Sequence, residues 1–96
     1  MTKYEALYII AAEIGEEATK ELIEKFNGII TANGGEVEET DEWGIKRLAY
    51  PINYKTEGYY VLVNFSTANN TLPAELERNF KINDSVIRFL VTKREA

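Results

Sequence analysis

The apolar positions of this chain switch between a two-residue and a near four-residue spacing, and the switches divide it into strands and helices. From Lys3 to Ala12 the run KYEALYIIAA alternates and then turns apolar, with tyrosine and isoleucine suited to a pleated, well-buried strand. Gly15 breaks that pattern. Glu16 and Glu17 follow in what would be a first helical turn, where carboxylates meet the positive end of the helix dipole. Ala18, Leu22, Phe26, Ile29 and Ile30 then fall on one helical stripe, with Glu21 and Lys25 one turn apart on the outside as an expected ion pair. Asn33, Gly34 and Gly35 end the helix, because glycine accepts the left-handed conformation that follows a last turn.

The second half begins with a long segment, Glu36 to Ile52, in which Val37, Trp43, Ile45, Leu48, Tyr50 and Ile52 mark one bent strand with Gly44 as its bulge. A polar turn is expected over Asn53 to Glu57, exposing Lys55, before Gly58 opens the strand GYYVLVNF. These two strands make an antiparallel hairpin. Ser66 to Thr71 reads as a connection, Pro73 suits a first helical turn, and Leu72, Leu76 and Phe80 define a second, shorter helix. Asn83 and Asp84 turn the chain into a last strand, Val86 to Val91, ahead of the polar ending Thr92 to Ala96.

The order βαββαβ is the ferredoxin-like α+β plan: a four-stranded antiparallel sheet with both helices on one face, here as one domain over residues 1–96. The other face is left bare. Strand parity sends Tyr59, Val61, Val63, Phe65, Phe89 and Val91 toward the helices, and Tyr60, Leu62, Asn64, Arg88, Leu90 and Thr92 away from them. Tyr60, Leu62 and Leu90 are therefore expected to form a protein-binding surface. A bulge at Gly44 would exchange the faces of Lys46 and Arg47.

Composition then narrows the chemistry. The chain has neither cysteine nor histidine, which removes disulfides, thiolate metal sites and the histidine-based nucleophilic couples. No run is long enough to span a membrane, and the opening Met1, Thr2, Lys3, Tyr4, Glu5 lacks a basic segment followed by an apolar stretch, so a cytoplasmic protein is expected. The run Glu36, Glu38, Glu39, Asp41, Glu42 lacks the calcium-loop spacing and reads as a solvated or partner-facing charged face, with no metal or cofactor implied. A hydrolase of the acylphosphatase kind would need a phosphate-cradling loop with an arginine after the first strand, and Ala11 to Glu17 has none. The net charge of −5 opposes nucleic-acid binding by bulk electrostatics. Its distribution matters more: acids gather at Glu16 to Glu24 and Glu36 to Glu42, while Lys46, Arg47, Lys55, Arg88, Lys93 and Arg94 lie elsewhere.

Four blocks carry a family resemblance: KYEALYII from Lys3, WGIKRLAYPI from Trp43, EGYYVLVNF from Glu57 and INDSVIRFLVTK from Ile82. In this order they resemble the bacterial small-subunit ribosomal protein six family over essentially the whole chain. The resemblance implies the ferredoxin-like fold, a structural rather than enzymatic role, and binding to small-subunit ribosomal RNA together with the small basic ribosomal protein eighteen. Such a partner would supply the positive field that an acidic chain lacks. Carried over block by block, the RNA-facing candidates are Lys3, Tyr4, Lys46, Arg47, Tyr50, Arg88 and Lys93, with Lys55 added on the hairpin loop. Trp43 is assigned a structural role, and Tyr50 stays open between base stacking and core. GYYVLVNF also resembles the central strand of the RNA-recognition motif, but Glu57 and Tyr60 depart from that pattern, so base reading by that mode is not expected. A regulatory or protein-interaction module without RNA binding is the alternative.

Overall fold

Seven segments follow one another: β1 (Thr2–Ala11), a short 3-10 turn (Ala12–Ile14), α1 (Glu16–Ala32), β2 (Gly35–Ile52), β3 (Lys55–Thr67), α2 (Leu72–Ile82) and β4 (Val86–Lys93). The structure, a computed structural model, describes residues 1–52 and 55–94, without the side chains of Ala49 and Ile52. Asn53 and Tyr54 of the expected turn and Glu95 and Ala96 of the expected ending lie outside the described residues. The strands form one antiparallel sheet in the order β2-β3-β1-β4, and the ferredoxin-like plan stands. Among the described residues no helix is long and apolar enough to cross a membrane.

The covered face of the sheet holds the core. Ala6, Tyr8 and Ile10 of β1 lie beside Val63, Val61 and Tyr59 of β3, and beside Val91, Phe89 and Val86 of β4. Onto this face α1 lays Thr19, Ile23, Phe26 and Ile30, and α2 lays Leu72, Leu76 and Phe80, all buried. The centre of the α1 stripe is thus rotated one residue from the expected one, with Ala18, Leu22 and Ile29 on its half-buried flanks. Thr19 can occupy the centre because its hydroxyl donates to the Gly15 carbonyl at 2.7 Å. The expected Glu21 to Lys25 pair is not formed; on that helix Lys20 reaches Glu16 at 3.5 Å.

Tyr8, Phe26 and Phe80 make an aromatic triangle with centroid separations of 5.2, 4.8 and 4.7 Å, and Phe89 extends it from Phe80 at 5.4 Å. Each phenyl ring so enclosed contributes about 2–3 kcal/mol through area removed from water. Tyr8 brings a hydroxyl into this cluster that meets no protein partner among the described residues. Where α1 passes to β2, Gly35 is held against Ile30 and Leu72: a Cβ there would sit 2.7 Å from Ile30 Cγ2 and 2.6 Å from Leu72 Cδ2. Glycine lets the chain leave the helix without prising the two helices apart.

The hairpin differs from expectation at its near end. β3 starts at Lys55, three residues before Gly58, so Lys55 belongs to a strand and not to an exposed loop. The polar stretch LysThrGlu resembles a turn in composition, yet backbone pairing with the end of β2 holds it in the ladder. The Lys55 ammonium pairs with Glu13 on the 3-10 turn.

Candidate functional site

The uncovered face can be read row by row from the strand pairing. One row runs Gly44, Tyr60, Ile9, Arg88; the next runs Asp41, Leu62, Leu7, Leu90; a third runs Glu39, Asn64, Glu5, Thr92. Four strands at about 4.8 Å spacing make each row roughly 14 Å across. The face therefore grades from an aromatic and cationic band, through an aliphatic band, to an acidic band.

One bulge of β2 creates the first band. The pairing of β2 with β3 shifts by one residue between Val37 and Glu39 and again between Glu42 and Gly44. Gly44 accommodates the second shift at φ 83°, a left-handed conformation that glycine adopts without steric cost. The extra residue there is Trp43. Its ring stacks on Tyr60 with centroids 6.2 Å apart and planes 12° from parallel, so it lies over the bare face. Lys46 sets its ammonium 5.3 Å from the centre of the same ring. The Trp43 indole N–H donates to Asp41 at 2.9 Å, which fixes the rotation of the ring. Trp43 is 41% exposed, so it lies at the surface and not in the core.

At the far side of this band Arg88 donates from Nη1 to the Tyr50 hydroxyl at 2.6 Å. Tyr50 comes from the end of β2 and Arg88 from β4, the opposite edge of the sheet. The last residues of β2 must therefore bend across the bare face for this bond to form. A shallow cavity of about 240 Å³ lies beside it, lined by Leu7, Ile9, Arg88, Phe89 and Leu90.

The residues singled out in the sequence are sorted by this geometry. Lys46, Tyr50 and Arg88 gather in the aromatic and cationic band, whereas Arg47 pairs with Glu57 on the opposite parity, exposed. The question of faces at Lys46 and Arg47 is thus resolved, with Lys46 on the bare face. Tyr4 is turned toward the helices, where it stacks on Phe65 at 5.5 Å. Lys93 is its partner on β4 and shares that parity. Lys3 stands at the acidic end and reaches Glu38 at 3.7 Å. Tyr60 and Leu62 are half-buried on the bare face, and Leu90 is 60% exposed there. Sequence reasoning missed the Trp43, Lys46 and Tyr60 grouping; the signal available was Gly44, whose bulge carries Trp43 over Tyr60.

Perturbed titrations lie on the covered side. Burial, reinforced by the Glu42 carboxylate, pushes the Tyr8 hydroxyl well above the usual tyrosine range. Tyr59 is also raised, chiefly because its hydroxyl donates to Glu42 at 2.9 Å and secondarily through burial. On α2 the Glu75 carboxyl is held below its ordinary value by Arg78, which donates to it at 2.6 and 3.1 Å. Among the described residues no cluster of three or more metal-ligating side chains occurs.

The fold is that of a ferredoxin-like protein with an open sheet face graded in charge and ring character. Comparison with known proteins takes that class to a family. Residues 3–93 match the profile of ribosomal protein S6. Small ribosomal subunit protein bS6 of Clostridium novyi is 56% identical over 95 residues, 99% of each chain, and that of Halalkalibacterium halodurans 53% over the same shares. The crystal structure of 30S ribosomal protein S6 from Thermotoga maritima superposes with a TM-score of 0.89 at 28% identity, covering 97% of this chain and 87% of that one. The chain belongs to the ribosomal protein S6 family, and is a structural constituent of the small ribosomal subunit in the cytoplasm rather than an enzyme.

Proposed function

We propose that within the small subunit the chain binds ribosomal RNA jointly with the small basic ribosomal protein eighteen, each partner taking a different part of the open face and its rim. The observation that carries this reading is the gradation of that face. Cationic and aromatic groups at one end suit a phosphate backbone and unpaired bases, while aliphatic and acidic rows beside them suit a basic protein. Lys46, Arg47, Tyr50 and Arg88 are the RNA contacts of first rank, because they project from the exposed end of the hairpin and the row it overhangs. Lys3, Lys55, Tyr4 and Lys93 are secondary: the first two are engaged by Glu38 and Glu13, and the other two share the covered parity. Tyr60, Leu62 and Leu90, bordered by Asp41, Glu39 and Glu5, receive the protein partner.

The test is a salt series of binding to a central-domain fragment of small-subunit ribosomal RNA, with and without protein eighteen. Tight binding only in the presence of the partner, reduced about 10-fold by Arg47→Ala, is the expected result. No binding in either mixture sinks the proposal and favours an interaction module without RNA.

A further inference from the structure

We propose that Trp43 is a stacking platform for an unpaired base of the bound RNA, with Lys46 as its phosphate contact; this rests on the RNA-binding reading above. Three features separate Trp43 from an ordinary surface aromatic. Its ring is backed by Tyr60 in near-parallel offset, so the plane is held before any ligand arrives. Asp41 holds the indole edge by a hydrogen bond, which removes the remaining rotation. Lys46 rests its ammonium over the ring and makes no ion pair among the described residues.

That arrangement suits a base carrying a phosphate. A flat π surface competes with the lysine for the ring, and the displaced ammonium, on a flexible four-carbon stem, can move to the adjoining phosphate. Attraction to the ring is then exchanged for attraction to a full negative charge. The carboxylate of Asp41 at the indole edge disfavours a bare phosphate at the ring itself, so the base and not the backbone is what the platform takes. Arg88, two strands from Tyr60 in the same row, can hold the backbone as it continues across the face. Because the platform comes from a bulge, the residues flanking it still lie on the covered side of the sheet, Glu42 opposite Val61 and Ile45 opposite Tyr59.

The chain has a single tryptophan, which makes the test direct. The protein is labelled with 5-fluorotryptophan, combined with unlabelled protein eighteen, and titrated with the central-domain RNA fragment. A shift of the fluorine resonance on adding RNA is expected, together with a loss of affinity of about 10- to 100-fold in Trp43→Ala. Trp43→Phe, which keeps a ring, is expected to retain affinity within about 5-fold. Melting curves confirm that both variants fold. Full-strength RNA binding by Trp43→Ala, together with an unmoved fluorine signal in the labelled parent, overturns the platform and leaves the RNA-binding reading standing. A shift caused by protein eighteen alone, unchanged by RNA, also overturns it, since the ring is then covered by protein. If the parent mixture binds no RNA at all, the broader reading fails and the platform with it.

Discussion

The two faces of the same four strands are made from neighbouring residues and behave differently. In β3 the covered side shows Val61, Val63 and Phe65, each buried; the bare side shows Tyr60, Leu62 and Asn64, each half-exposed. A sheet with one wet face ordinarily alternates apolar with polar, and this strand scarcely does so. Packing within the chain accounts for one face and not for the other. Folding accounts for Tyr8, Phe26 and Phe80. It does not account for Leu62, Leu90 or the Trp43 stack, whose apolar area stays partly in water.

Substitutions on each side can break or sharpen that contrast. Phe80→Ala, at the centre of the aromatic triangle, should cost about 3–5 kcal/mol in denaturant unfolding, a large share of the stability of a chain this size. A loss below about 1 kcal/mol would mean that the covered face is not the main core. Tyr8→Phe should be neutral or stabilising by about 1 kcal/mol, because it removes a buried hydroxyl that has no protein partner among the described residues. The pH dependence carries the sign. The folded pKa of Tyr8 lies above the unfolded value of about 10, so its contribution is intact below that pH. It is lost as pH rises, at up to about 1.4 kcal/mol per unit. The alkaline fall of stability should therefore be shallower in Tyr8→Phe than in the parent, and identical slopes would contradict the assignment. Smallest of all, Leu90→Ser should change stability by no more than about 0.5 kcal/mol while weakening capture of protein eighteen.

Much of the fold was legible because periodicity is a local property: Leu72, Leu76 and Phe80 recur at helical spacing whatever surrounds them, and GlyTyrTyrValLeuValAsnPhe is a strand by composition. The departures have physical causes. Thr19 reached the centre of the α1 stripe because a local hydrogen bond satisfies its hydroxyl, something polarity alone conceals. LysThrGlu joined β3 because backbone pairing ignores side-chain polarity. The candidate site was less legible. Lys3 and Lys55 are engaged by acids far along the chain, Glu38 and Glu13, and Arg88 meets Tyr50 from the opposite edge of the sheet. Such pairings depend on the finished topology. The bulge at Gly44 was readable as a possibility; that it would lay Trp43 on Tyr60 was not, since stacking depends on how the partner strand is registered.

The contrast between faces is tested most directly by mapping side-chain resonances as the chain is assembled with protein eighteen and the central-domain RNA fragment. Methyl signals of Leu7, Leu62 and Leu90 and the indole signal of Trp43 should shift together, while those of the outer surfaces of α1 and α2 stay in place. Shifts confined to the helices, with the sheet signals unmoved, would contradict the assignment of the bare face as the binding face.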